Sequence, residues 1–546
     1  MSILNTIFST QGKPSSELHI DKDQDNYGIG EGLAFHADAD DNIAIGENAL
    51  NSTSGDANQN IGIGTNALTA ISVGDSNVAV GHNALAAATQ CGINVAIGLS
   101  AAAAFSTLEN DNIAIGQLAM GSMDEGSSGN VDNNIAIGSS ALLGKDLAGA
   151  SVDILNNIAI GKFAMDSTSI AAQNGAIAIG YAALGALTSG QDNIAIGYQA
   201  MLEHTTGGNN LAIGYQAMDD TGHGACPTSV DNVFIGKQSG GGTWANNDSN
   251  YNVGVGNYTL DGLMDGAESN VAIGHEAGSA ITTADDSVFV GKEAGENVTV
   301  ADGCVAIGKN AFGGVTVEAA NYCVAIGHSA IQGTSATNQA GTVGIGFNAL
   351  SSLSTGAGNT ALGYQAGNVL TTGAENTIIG YDCDVASDDN TNNIIIGNNL
   401  TGTDKDNAVF IGNNTNHIEN DFNTDATWTY SSDIRQKTAI EDDKLGLGFI
   451  NKLRTVTYKH KSPSEFPAEW TAYDADDKKP MGGDKIIHGM IAQEVKAALD
   501  KSDIDTFGGW SVGDDGRQRI SLEKMVLPLI KAVQELSAEV EELKNK

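Results

Sequence analysis

The chain has 546 residues and a formal net charge of −40, from 66 acidic and 26 basic residues. So acidic a chain is a poor ligand for nucleic acid or an anionic membrane surface. It contains no run of 18 apolar residues, so no transmembrane helix is expected.

The start, M-S-I-L-N-T-I-F-S-T-Q-G, has no basic segment followed by a long apolar run, so no secretory signal is expected. Residues 1–41 are polar and mixed, with G-I-G-E-G-L-A-F at Gly28–Phe35 reading as a degenerate first repeat. This segment is expected to cap the repeats behind it and to attach them to a larger assembly.

From Asn42 a nine-residue phrase, N-I-A-I-G-E-N-A-L, recurs until A-V-F-I-G at Ala408–Gly412. Its 21 copies close on glycines 15 to 23 residues apart, most often 17, with the longest spacers before Gly138, Gly161, Gly236 and Gly256. A fixed period of this kind marks stacked units, in which one copy cannot bury its own apolar face. In N-I-A-I-G the branched residues lie two apart and share one face of a strand. The other face carries Asn, Ala and Gly, and such small residues predict close approach of another backbone, read here as a neighbouring chain. The Asn at the head of most copies predicts a ladder of side-chain amides from rung to rung. At about 4.8 Å per rung the stack is a rod on the order of 100 Å long. No copy has the Gly-Gly-x-Gly-x-Asp form of calcium-binding solenoids.

The V/I-A-I-G core over Asn42–Gly412 resembles the head repeats of trimeric autotransporter adhesins. The resemblance implies a left-handed parallel β-roll around a threefold axis, although the spacers here are longer.

Within this region the loop Ser239–Tyr251 offers Trp244 and Tyr251 as candidate receptor contacts, the alternative being a Trp244 tucked against the rod. His82, His275 and His328 follow repeat glycines without metal-ligand spacing, so neither a metal site nor a cofactor is expected. Acidic clusters such as Asp38–Asp41 read as solvated turns. Five cysteines form no paired motif; Cys304 and Cys323 take the Asn position of successive repeats, which favours packing over a disulfide.

Asn413–Tyr430 reads as a polar linker, after which arginine, proline and helix formers appear. Residues 1–420 hold eight lysines, no arginine and 43 acidic residues; residues 421–546 hold 18 basic and 23 acidic. Leu447–Lys461 predicts a short helix and then an alternating strand, and His488–Leu499 a strand end running into a helix. Leu522, Val526, Leu529, Val533, Leu536, Val540 and Leu543 step by four and three, a heptad seam for a self-associating coil over 522–546. Pro528 lies off this seam and is expected to kink or start the helix.

S-D-I-R-Q-K at Ser432–Lys437, H-G-M-I-A-Q-E at His488–Glu494 and the terminal coil together resemble the C-terminal intramolecular chaperone domain of phage tailspikes, tail fibres and endosialidases. The resemblance covers Ser432–Lys546 and implies a domain that trimerises the fibre and then cuts itself off. It makes Ser432 the nucleophile and Lys437 its base, with Asp433, Arg435, His488 and Gln493 supporting and the cut at Ser431–Ser432. Five residues put Ser432 and Lys437 on opposite faces of a strand and apart on a helix. A tight turn or another chain must bring them together, and lysine serves as a base only where burial or a nearby cation, such as Arg435, depresses it.

The combined expectation is a mainly β protein: a trimeric parallel β-roll or β-helix solenoid rod followed by a small α+β chaperone domain ending in a coiled coil. Its segments are a cap (1–41), the rod (42–412), a linker (413–431) and the chaperone and self-cleaving serine peptidase (432–546). The function expected is host attachment as a virion tail fibre or spike, made in the host cytoplasm. Its partners would be two further copies, tail proteins at the N-terminal segment and a host surface glycan or protein, with no nucleic acid and no membrane insertion. A capsule-degrading spike and a bacterial surface adhesin are the alternatives.

Overall fold

The computed structural model describes residues 17–546 apart from 22–23, 34, 36–37, 52–54, 108, 124–128, 145–151, 168–172, 222–227, 315–319, 334–338, 424–432, 469, 471–472, 481–482, 503 and 514–515. They fall into two compact units, Met1–Tyr430 and Ser431–Lys546.

In the first unit each repeat phrase makes one short strand, from Ile43–Ile45 and Ile61–Ile63 to Thr377–Tyr381, Ile394–Asn398 and Ala408–Gly412. Successive strands pair parallel and in register: Ile43 on Ile61, Val78 on Val95, Ile194 on Leu211. The product is a β-solenoid, with each coil supported by its neighbours. The degenerate repeat is a full rung, Asn26–Gly30, lying parallel to Ile43–Ile45. Both ends of the ladder are covered by antiparallel strands, Glu17–Asp21 on Asn26–Gly30 and His417–Asp421 on Ala408–Gly412. The stretch read as a linker from Asn413 therefore supplies the covering strand at one end, which satisfies backbone groups that an open edge would leave unpaired.

The two faces of the repeat strand are the reverse of the expectation. The central residue is the buried one, as at Ala44, Ala114 and Ala212, whereas Ile43 and Ile45 remain 37% and 39% exposed. The interior of a coil is narrow, and Leu68, Leu85, Met120 and Met201 already fill it from the segment after the glycine, leaving room for little more than a methyl group. The close backbone approach is real, but its partner is the next rung of the same chain. A Cβ built on Gly81, at φ +139°, would sit 2.3 Å from the Gly98 carbonyl oxygen, and the same clash repeats at Gly98 over Gly116. Where Phe234 or Phe289 replaces the central small residue, Gly240 or Gly295 stands where Leu or Met usually does, and a Cβ there would meet the ring within 3 Å.

The asparagine ladder is present. Asn60 Oδ1 accepts from the backbone N and the Nδ2 of Asn77, both at 3.0 Å, while Asn60 Nδ2 donates to the Gly74 carbonyl at 2.9 Å. Asn77, Asn94 and Asn112 continue the pattern, all buried. Buried amides are tolerated because each is bonded above, below and sideways. Cys304 and Cys323 hold the same column with free, buried thiols that donate to the Ala320 and Gln339 carbonyls at 3.1 and 3.0 Å.

Trp244 is fully buried, its indole N–H on the Gly240 carbonyl at 3.0 Å and its ring edge-on to Phe234, so it is no exposed receptor contact. Tyr251 is 55% exposed.

The second unit opens with a single 3-10 turn, Ile434–Gln436, followed by helix α1 (Leu447–Ile450). Strand Val456–Tyr458 pairs antiparallel with Ile487–Gly489, which leads into α2 (Ala492–Asp500). A hairpin, Trp510–Val512 with Gln518–Ile520, precedes α3 (Val526–Lys544). Leu445, Phe449, Val495, Ala498, Leu499 and Met525 form the core. Pro528 is the third residue of α3, in the first turn, where no intrahelical bond is lost, so it starts the helix rather than kinks it.

Candidate autoprocessing site

Ser431 and Ser432 lie outside the described residues. Immediately after them, Asp433 caps the 3-10 turn, accepting from the Arg435 backbone N–H at 2.8 Å. The same carboxylate takes the Arg435 guanidinium in a two-pronged grip, Nε at 3.0 Å and a terminal nitrogen at 2.6 Å. That grip, with the backbone bond second, holds the Asp433 carboxyl below the usual carboxylate range and raises Arg435 in turn. Lys437 closes the turn, its N–H on the Ile434 carbonyl at 3.1 Å, and its side chain is exposed. The sequence thus places a tight turn between Ser432 and Lys437, the kind of element that can shorten a five-residue separation. Arg435 is committed to Asp433 and so does not stand as an unpaired cation in the turn.

His488 stands on the strand Ile487–Gly489, directly opposite Thr457. Both border a cleft of about 530 Å³ with Thr455, Val456, Met490 and Leu522. The side chain of His488 is exposed, and Gln493 is exposed on the first turn of α2. Next to it Glu494 grips Arg454, with Nε to Oε2 at 3.1 Å, and so holds α2 against the segment leading into Val456–Tyr458. The structure therefore forms two groups, Asp433 with Arg435 at the turn and His488 with the cleft. Thr457 and the cleft are not legible in sequence, because strand pairing alone brings Thr455–Thr457 to His488. Leu522 at the cleft belongs to the heptad seam, so the cleft and the coil share a residue.

α3 supplies a second signal. Val526, Leu529, Val533, Leu536, Val540 and Leu543 are between 41% and 70% exposed, an apolar stripe with no partner in one chain. Its Glu535 instead faces the unit, taking the Leu447 N–H at the start of α1 at 2.6 Å. Among the described residues no group of three or more His, Cys, Asp or Glu is placed to hold a metal, and no helix is long and apolar enough to cross a membrane.

A long β-solenoid followed by a small α+β unit with an unpaired terminal helix defines the class of architecture. A family model described as the chaperone of endosialidase matches residues 432–504. The chain therefore carries a chaperone-of-endosialidase domain at its C-terminal end, beginning at Ser432. No curated protein matches the chain, and no solved structure matches it.

Proposed function

We propose that this chain is a virion tail fibre or spike for host-cell attachment, assembled as a homotrimer by its C-terminal domain, which then removes itself beside Ser432. The observation that carries the reading is the chaperone-of-endosialidase match, starting at Ser432 directly behind the solenoid. Two surfaces support the trimer. The first is the seam of α3, and the second is the double row of outward Ile and Val on the solenoid, including Ile273, Ile307 and Ile396 at 37 to 42% exposure. A straight apolar stripe of this length is best covered by a rod with the same rung spacing, which is another copy of the chain.

In the proposed reaction the Ser432 hydroxyl attacks the carbonyl carbon of Ser431 and its proton passes to a neutral Lys437. The Ser431–Ser432 C–N bond breaks, and the departing amine takes that proton. Water then hydrolyses the resulting ester, restoring the Ser432 hydroxyl and leaving a carboxylate on Ser431. Lys437 is exposed in one chain, so the burial that leaves a lysine neutral and able to accept a proton has to come from assembly. Cleavage would then follow correct trimerisation and not precede it. Asp433 and Arg435 shape the turn, and His488 and Gln493 are proposed to border the assembled site.

The test is a denaturing gel with intact mass on the expressed chain. Two pieces of about 431 and 115 residues are expected, and one full-length band for Ser432→Ala with the rod still folded. Wild-type trimer that is never cut would end the peptidase reading.

A further inference from the structure

A groove of about 600 Å³ runs along the solenoid over the rungs that close at Gly161, Gly180 and Gly197. Ala182 and Gly185 are among its lining residues. A Cβ at Gly185 would stand 3.2 Å from Leu202 Cδ1 and 3.7 Å from the Asp166 carboxylate, so a larger side chain there would occupy the groove. Asp166 and Glu203 bring two carboxylates to it, from rungs two steps apart. Burial pushes the Asp166 carboxyl above its ordinary range.

Phe163 forms part of the wall and belongs to an aromatic row. It packs edge-on against Tyr181, and Tyr181, Tyr198 and Tyr215 stack at centroid spacings of 5.2 Å. These three tyrosines are 41 to 48% exposed and occupy the position directly after the repeat glycine. In earlier rungs that position holds Glu47, Thr65, Gln117 and Ser139. The row is therefore not a requirement of every coil, although a second one, His328, Phe347, Tyr364 and Tyr381, stacks at the same position of later rungs at 5.0 to 5.5 Å. Stacking covers much of the inner rings, so what the row presents is ring edges and a line of phenolic hydroxyls.

We propose that this groove binds a neutral oligosaccharide. Sugar C–H groups pack on the apolar surface of Phe163 and Leu202, and sugar hydroxyls donate to the Asp166 and Glu203 carboxylates and exchange bonds with the phenols of the row that Phe163 packs against. The volume suits a few sugar units, whereas a folded protein partner needs a broad interface. An anionic glycan would meet two carboxylates against the one ammonium of Lys162, 4.5 Å over the Phe163 ring, inside a rod with 43 acidic residues against eight lysines over residues 1–420. The proposal rests on the attachment reading and supplies the ligand class that reading leaves open.

The experiment uses the full chain as expressed, wild type and Gly185→Phe, Asp166→Asn and Tyr198→Ala, on an array of malto-, cello-, chito- and manno-oligosaccharides with sialylated and uronic-acid oligosaccharides alongside. Wild type is expected to bind at least one neutral series. Titration of that oligosaccharide is expected to show tenfold or greater weakening in Gly185→Phe and Asp166→Asn, with unfolding temperature unchanged in Asp166→Asn. Absence of neutral binding, preference for the acidic series, or full binding by Gly185→Phe and Asp166→Asn would overturn the proposal. Adsorption of the same preparations to host cells separates the two readings: rod that binds cells equally well in all three variants leaves attachment standing and removes the groove from it.

Discussion

The two units solve the same problem at opposite extremes. In the solenoid each rung finds its partners in the rungs before and after it, through the buried Ala column, the asparagine ladder and the Gly-on-Gly contact. In the C-terminal unit six buried residues make the core, while α3 leaves its apolar seam in solvent. The first unit is covered at both ends of its ladder and carries a double row of Ile and Val on its outside; the second leaves the apolar seam of α3 exposed. A repetitive ladder also has a weakness that the small unit lacks. Every rung resembles the next, so two chains can meet one rung out of register with little local penalty. A unit that associates only one way can set that register and then be dispensed with, which is the division of labour proposed here.

The largest expected effect comes from breaking the second unit's association. Leu536→Asp with Val540→Asp places like charges in the seam, so the chain is expected to stay uncut and largely insoluble, with unregistered β stripes exposed. The companion measurement is refolding yield from denaturant. Rod lacking residues 432–546 is expected to survive heating as well as uncleaved Ser432→Ala but not to refold. Equal recovery of the two forms would make the C-terminal unit a passive tail.

Much of this contrast is written in the sequence. Period, rung positions and the amide ladder follow from the phrase itself, and the elements over Leu447–Leu499 and the terminal helix follow from apolar spacing, whereas the hairpin Trp510–Val512 with Gln518–Ile520 carries no such pattern. What could not be read was which strand face points inward. Alternation fixes that Ile43 and Ile45 share a side, but the choice of side depends on how much room Leu50 and its equivalents leave inside the coil. The same limit left Trp244 with two readings, and the tucked one holds because Phe234 with Gly240 opens a slot that the indole fills. The site was half legible. Asp433, Arg435 and Lys437 are neighbours in sequence, whereas the Thr457–His488 pairing joins strands about 30 residues apart.

Within the solenoid, effects are expected to fall with distance from the backbone. Gly214→Ala puts a Cβ 2.1 Å from the Gly236 carbonyl oxygen at φ +146°, and the rung cannot yield without its neighbours. A loss on the order of 4 kcal/mol or more is expected, read as a lowered unfolding temperature or loss of soluble rod. Asn210→Ala removes the acceptor for the backbone N and Nδ2 of Asn232, both at 3.1 Å, and leaves the buried backbone N–H unpaired, while Nδ2 keeps the Val230 and Ser249 carbonyls. Its expected cost is about 1–3 kcal/mol, and Asn210→Ser is expected to recover part of it, since Ser287 holds the same column by accepting from Cys304 N at 3.1 Å. Equal stability of Asn210→Ala and wild type would show that the ladder is ornamental.

The smallest effect expected is a pH dependence near the far end of the solenoid. Asp384 is buried, with its oxygens accepting the Val369 and Val385 backbone N–H groups at 2.9 Å. Burial outweighs those bonds and pushes its carboxyl up to about 7. A carboxyl raised in the folded state keeps a proton that the unfolded chain has already released, so folding binds protons in this interval. Its stabilising contribution is therefore full below about pH 4, declines as pH rises, and is gone once pH passes about 7. Denaturant midpoints at pH 5 and pH 8 are expected to differ, with the rod more stable at pH 5. Asp384→Asn cannot ionise, and although its amide no longer offers two acceptors, its own midpoints are expected to differ less between the two pH values. Asp219, likewise pushed up to about 7 by burial, acts in the same direction and would leave a residual slope. A slope in Asp384→Asn as steep as in wild type would mean that Asp384 is hydrated enough to titrate alike in the folded and unfolded chain.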